Sequence, residues 1–306
     1  MALPNFIIAG APKCGTTSLA DYLSSHPEVF VSNPKEITFF SEFKGEFERG
    51  SLIGDEFGVD PLGSGTFYKG WDWYKSQFNP NDTQRAIGEA SVQYLYFPDS
   101  AEMLYKFMPD IKLIFLLRDP VARVFSEYWH ENRYGFKKKY FPSFKEMVHE
   151  NHPRLQYYID VSSYKTHLER FFKLFPSEQI LVLLSEDLRR DTEGQMNRIC
   201  KFLNVDPDIK LDFKHESNQA YIPRFRKLQR VMEAVSFTGA VRNLPVSIRR
   251  PLGKLKERIR RIGASKSRPE LDRALRSELL PQFEEDIRYV EDLLGRDLSS
   301  WRSIDG

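Results

Sequence analysis

The 306-residue chain is predicted to fold as α/β, a three-layer, doubly wound parallel sheet with flanking helices. Three observations carry that expectation. Short apolar runs alternate with amphipathic helical stretches through the first two thirds of the sequence. Two of the runs, KLIFLL at 112–117 and ILVLL at 180–184, are apolar almost throughout, as parallel strands covered on both faces are. The first run, NFIIAG at 5–10, ends in a glycine loop that opens directly into a helical pattern.

Taken in order, NFIIAG is the first strand, and SLADYLSSH follows as a helix with Leu19, Tyr22 and Leu23 on one face. His26-Pro27 stops that helix, and Val29 to Val31 is the second strand. Residues 43–70 carry seven glycines and no steady period, so a surface insertion is expected over 43–80. Ala86 to Glu89 reads as a third strand, Ser100 to Met108 as a helix and Lys112 to Leu117 as a buried strand. Asp119 suits an N-cap and Pro120 a first helical position, ahead of a helix carrying Ala122, Phe125, Tyr128 and Trp129. Helix Tyr164 to Phe175, strand Ile180 to Leu184 and helix Thr192 to Leu203 continue the alternation. From Leu271 to Leu294, apolar residues at steps of three and four predict one long helix packed back on the core. The whole of 1–306 is expected to form a single domain.

Composition narrows the class. Hydrophobic content of 41% and aromatic content of 14% belong to a globular chain rather than a disordered one. No apolar run approaches the roughly 20 residues a bilayer requires, so no transmembrane segment is expected. The N-terminus lacks a secretory pattern, and two cysteines, Cys14 and Cys200, make no disulfide framework; a cytoplasmic setting is expected. The net charge of +2 conceals a basic C-terminal helical segment, 222–268, with fourteen Lys or Arg against Glu233 and Glu257. That segment reads as a lid over an anionic cofactor, a docking face for an acidic acceptor, a peripheral membrane contact, or a solvated face. It lacks the aromatic interleaving of a single-strand nucleic-acid platform, so no nucleic-acid partner is expected. Oligomeric state is not legible.

The chemistry starts at GAPKCGTTS, residues 10–18. Gly10, Gly15 and Thr17 frame a phosphate loop, yet Thr16 holds the position where a nucleotide triphosphatase has its lysine, and the cation sits at Lys13. Backbone N–H groups at Cys14, Gly15, Thr16, Thr17 and Ser18 can cradle an anion at the helix start. A lysine inside the loop approaches a shorter anion, near the bridging oxygen where charge accumulates as a group departs. PKCGTTSL, residues 12–19, resembles the 5′-phosphosulfate loop of P-loop-type sulfotransferases that use 3′-phosphoadenosine 5′-phosphosulfate (PAPS). Cys14 is either a small filler or a thiol acidified by the helix start.

A donor with a separate 3′-phosphate requires a second anion site. IFLLRDPVARVFSEYWH, residues 114–130, offers Arg118 at a strand end as a fork and Ser126, two turns into the next helix, as a hydroxyl donor. Strand, Arg-Asp-Pro, then Ser eight residues beyond the Arg resembles the 3′-phosphate site of the same family. Asn33-Pro34-Lys35-Glu36-Ile37-Thr38-Phe39-Phe40 resembles the segment with the catalytic glutamate in heparan sulfate sulfotransferases and their bacterial relatives. The resemblance makes Glu36 the base that takes the acceptor's proton; a solvent ion pair with Lys35 is the alternative. His130, one turn past Ser126, matches a histidine of the heparan N-sulfotransferases and is a second proton-transfer candidate, or a structural histidine. Glu89, in Ile87-Gly88-Glu89-Ala90-Ser91, resembles a segment near the acceptor, although glycan enzymes often have lysine where Ala90 stands. His215-Glu216-Ser217 begins like the family's cofactor-clasping loop, but Asn218-Gln219-Ala220 replace its charges, which leaves Arg224 and Arg226 as substitutes.

The implied activity is metal-independent, in-line transfer of a sulfuryl group from PAPS to a hydroxyl or amine of a small-molecule, glycan or lipid acceptor. Sulfation of a carrier-bound β-hydroxyacyl chain stays open. So do, from another class, a P-loop kinase or nucleotide hydrolase and a non-catalytic adenosine-bisphosphate binding module.

Overall fold

A computed structural model describes residues 2–41, 66–134, 142–211, 213, 222–223, 264–265 and 270–304. Five strands form one sheet: β1 (Phe6–Gly10), β2 (Val29–Val31), β3 (Ala86–Glu89), β4 (Lys112–Leu117) and β5 (Ile180–Leu184). Their order is β2-β3-β1-β4-β5, and every neighbouring pair is parallel. All residues of β1 and β5 are buried, as are those of β4 beyond Lys112. Helices cover both faces, which is why these runs carry no polar alternation. The α/β expectation holds, strand by strand.

The chain winds from β1 outward to β2, returns through β3, and crosses to β4 and β5 on the other side. The winding therefore reverses at β1, and open α/β sheets hold their ligands outside the carboxyl ends of the strands at such a point. Four helices matter there: α1 (Thr16–Ser24), α2 (Trp71–Ser76), α3 (Ser100–Phe107) and α4 (Pro120–Tyr134). Gly10 pairs with Phe115, and the Ala11 N–H donates to the Leu116 carbonyl at 2.9 Å. Register thus delivers the glycine loop and Arg118 to the same edge, from strands about 4.8 Å apart.

Three expectations change. The long C-terminal helix is two, Arg273–Leu279 and Glu284–Leu294, joined by a 3₁₀ turn at Leu280–Phe283. Pro281 lies in that turn, where its missing N–H and its ring preclude a continuous α-helix. The apolar stripe survives the break, with Leu275, Leu279, Phe283, Ile287 and Val290 buried. Second, the described part of the 43–80 stretch is not simply surface: α2 buries Tyr74, and Phe78 follows it into the core. Third, the helix expected to reach Phe175 ends at Phe172.

Of the basic segment, Ile222–Pro223 pairs antiparallel with Ala264–Ser265, bringing its two ends together. Its helical character, Arg224, Arg226 and the 215–220 loop lie outside the described residues, as do 42–65 of the insertion. Among the described residues no helix is long and apolar enough to cross a membrane.

Candidate active site

The glycine loop leaves β1 under tight constraint. A Cβ on Gly10 would stand 2.6 Å from the Leu95 Cβ, so only glycine lets the strand end pass this close. Gly15 caps α1 at φ 100°, a left-handed conformation that L side chains rarely adopt. Between them Lys13 takes φ 67°, and its side chain is half-buried. The first-turn N–H groups of α1 have no carbonyl of their own helix to bond, which makes this end a natural anion cradle. Thr16 is buried, while Thr17 and Ser18 are half-buried at the helix start. Cys14 is a filler: it is buried, its Sγ lies 3.9 Å from the Tyr164 hydroxyl, and burial pushes its thiol up to about 12 against the pull of Arg123 and Arg118. No acidified thiol exists here.

The Arg118 strand end, the second anion element expected from sequence, sits beside it. Asp119 caps α4, its Oδ1 accepting from the Val121 and Ala122 N–H groups at 2.9 and 3.1 Å, with Pro120 first in the helix. Its other oxygen accepts from buried Arg276 at 2.6 Å, and Arg276 also donates to the carbonyls of Trp301 and Ser303. Arg118 is half-buried at the strand end, and its carbonyl accepts from Tyr164 Oη at 2.8 Å. Tyr164, at the start of helix Tyr164–Phe172, therefore touches both anion elements, through Cys14 and through Arg118. Asp286 holds that helix start by accepting from the Lys165 N–H at 2.8 Å. Ser126 is buried in α4, and His130 one turn on is exposed.

Glu36 lies in the loop that follows β2, at the same sheet edge. Its carboxylate is 42% exposed, with Lys35 Nζ 3.6 Å away, so the ion pair weighed from sequence does form. Lys35 does more than neutralise it, since the same ammonium donates to Thr17 Oγ1 at 3.0 Å. One half-buried lysine thus joins the glycine loop to the Glu36 loop, and burial lowers its pKa while Glu36 opposes that shift.

Glu89 ends β3, as the sequence reading has it, and is fully enclosed there. It is 0% exposed and accepts from Tyr74 Oη at 2.7 Å, Ser91 Oγ at 2.5 Å and Tyr94 Oη at 3.0 Å. Burial raises its carboxyl to about 7, against the hydroxyl donors that favour the charged form. A group so enclosed sits beneath the Glu36 loop rather than on a surface open to an acceptor. Neighbouring Ala90 is equally enclosed, its N–H bonded to the Lys35 carbonyl at 3.2 Å.

The sequence matches the family described as "Sulfotransferase domain" over residues 3–227. The chain belongs to the sulfotransferase family. It is 30% identical to heparan sulfate glucosamine 3-O-sulfotransferase 5 of Homo sapiens over 212 residues, 68% of this chain and 55% of that protein. It is 29% identical to the bifunctional heparan sulfate N-deacetylase/N-sulfotransferase 3 of Homo sapiens over 215 residues, 67% of this chain and 23% of that protein. A solved sulfotransferase from Alicyclobacillus acidocaldarius superposes with a TM-score of 0.68 at 30% identity, covering 99% of this chain and 100% of that one. The matched stretches span about half, or about a quarter, of these curated relatives' own lengths.

Within this sulfotransferase-family fold, the elements that carry Lys13, the α1 start, Arg118, Ser126 and Glu36, the residues expected from sequence, lie at one edge of the sheet. Sequence reading missed three connections. Lys35 to Thr17, Tyr164 to Arg118 and Arg276 to Asp119 join residues 18, 46 and 157 positions apart. None has a local signature. The nearest to a signal was Tyr164 at the head of an apolar helical face, which reads equally well as core.

Proposed function

We propose that the protein is a PAPS-dependent sulfotransferase that acts on a hydroxyl or amine without a metal ion. The observation that supports this best is the pairing of Gly10 with Phe115, because it sets the glycine loop and Arg118 on adjacent strands, side by side at the switch-point edge. Two anion-binding elements so placed suit the two phosphate-bearing ends of one adenosine cofactor. The α1 N–H groups and Lys13 would hold the 5′-phosphosulfate, and Arg118 with Ser126 the 3′-phosphate. The donor supplies a sulfuryl group, whose bond to the bridging oxygen breaks as the acceptor's oxygen or nitrogen bonds to sulfur. Glu36 takes the proton that the acceptor gives up, with His130 as the second candidate, and Lys13 offsets the charge left on the bridging oxygen. Lys35 neutralises Glu36 at rest and stands between it and the loop. The heparan-sulfate names of the curated relatives put a glycan first among acceptors, ahead of a lipid, a small molecule or a carrier-bound chain. Two free, buried cysteines suit a reducing cytoplasm.

The direct test incubates purified protein with labelled PAPS and a panel comprising a desulfated glycan, a phenol, a lipid and a carrier-tethered β-hydroxyacyl chain. Release of adenosine 3′,5′-bisphosphate, undiminished by chelator, is the expected result. Strict Mg²⁺ dependence, or calorimetry showing no interaction with the bisphosphate, would sink the reading.

A further inference from the structure

Two backbone N–H groups of the loop that carries Glu36 reach one buried carboxylate through hydroxyls. Thr38, two residues on, is held at φ 56°, a conformation unfavourable for a β-branched residue. What holds it there is specific: the Thr38 N–H donates to Ser91 Oγ at 2.9 Å, and the same hydroxyl donates its proton to Glu89. A second strand of the network runs from the Phe40 N–H to Tyr94 Oη at 3.4 Å, and Tyr94 in turn donates to Glu89. The Ile37 backbone also helps to keep the Glu89 carboxylate charged. From the far side Tyr74 of α2 supplies the third hydroxyl, and Thr66, just before α2, donates to the Ile37 carbonyl at 2.7 Å. Each hydroxyl can accept from the loop because its own proton is committed to the carboxylate. Replace that acceptor with a group that accepts fewer protons, and the hydroxyls lose the orientation that holds Thr38 and Phe40.

We infer that Glu89 is a positioning residue for the transfer reaction: it orients Ser91 and Tyr94 so that they fix the 36–40 backbone, and with it the Glu36 carboxylate, against the donor loop. This rests on the proposed sulfotransferase function, and it gives Glu89 a role through the loop instead of through contact with acceptor. The side-chain hydrogen bonds of Glu89 and Ser91 run to Tyr74, to Tyr94, to each other and to the Thr38 N–H, so cofactor binding and transfer should separate.

The experiment compares wild type with Glu89→Gln and with Ser91→Ala, the second removing the hydroxyl that bridges Thr38 to Glu89 while keeping the carboxylate, should the first fold poorly. Three quantities are read: the affinity for adenosine 3′,5′-bisphosphate, kcat and KM for transfer to one acceptor, and amide hydrogen exchange by mass spectrometry. Support consists of bisphosphate affinity within about twofold of wild type, kcat lower by about tenfold or more with KM little changed, and faster exchange confined to 36–40. A kcat within twofold of wild type in both variants overturns the inference while leaving the sulfotransferase reading intact. Equal loss of bisphosphate affinity, or faster exchange in 6–24 as well, overturns it too, because the role would then be general stability. A wild-type protein that binds bisphosphate yet transfers to no acceptor overturns the sulfotransferase reading and the inference with it.

Discussion

The glycine-loop side and the Glu36 side of this sheet edge are built in different ways. On the glycine-loop side, backbone does most of the work: adjacent strands in register, a glycine that admits no side chain, a helix start and a proline-led cap. It is braced from behind by the C-terminal helices, with Arg276 on Asp119 and Asp286 on the head of the Tyr164–Phe172 helix. On the Glu36 side, a half-exposed glutamate rides on a loop held largely by side chains, two of whose backbone N–H groups reach a single buried carboxylate through hydroxyls. The contrast teaches where variation is tolerable. A frame built from backbone is rigid, while a loop held by side chains can be re-aimed by few substitutions.

The sharpest challenge to that contrast comes from Glu36→Gln, which should lower kcat by roughly 10²-fold to 10⁴-fold while calorimetry shows unchanged bisphosphate affinity. An equal loss of affinity would mean the two sides are not separable. Lys13→Ala should cost about 10²-fold to 10³-fold in kcat, and it should cost bisphosphate affinity as well, since this cation serves the donor. Breaking the brace with Arg276→Ala strands the Asp119 carboxylate and should reduce unfolding free energy by about 3 to 5 kcal/mol in a urea titration. A loss under 1 kcal/mol would make the C-terminal helices bystanders.

Smaller effects refine the picture. The folded Glu89 carboxyl, near 7, sits above the ordinary 4.5, so between those values the folded chain holds a proton that the unfolded chain has released. Stability should therefore fall as pH rises through that window, by at most about 1.4 kcal/mol per unit from this group, and Glu89→Gln should flatten the slope. Smallest of all, Cys14 in the folded protein should resist iodoacetamide at pH 8, and label only in denaturant.

The sheet was legible because each strand announces itself locally, by a run of apolar residues ending at a turn. Strand order and register were not, since no period in KLIFLL says which neighbour it takes. The positions of Lys13, Arg118 and Glu36 at this edge were legible because a glycine frame, a strand end and a family-like run mark them. Glu89 was placed correctly at the end of its strand, but its hydroxyl partners were not legible, since Tyr74 falls in a stretch whose glycines mask the apolar spacing Trp71, Tyr74, Phe78. Pro281 could have warned of the helix break. Lys35, Tyr164 and Arg276 act across the fold, where sequence spacing carries no message.

The short antiparallel contact between Ile222–Pro223 and Ala264–Ser265 has an evolutionary corollary. Chain departs and comes back at one place, so whatever lies between can lengthen, shrink or be exchanged like a cartridge, and doubling its length costs only about 0.6 kcal/mol of closure entropy. Relatives that share this sheet are free to carry quite different passengers at that docking point.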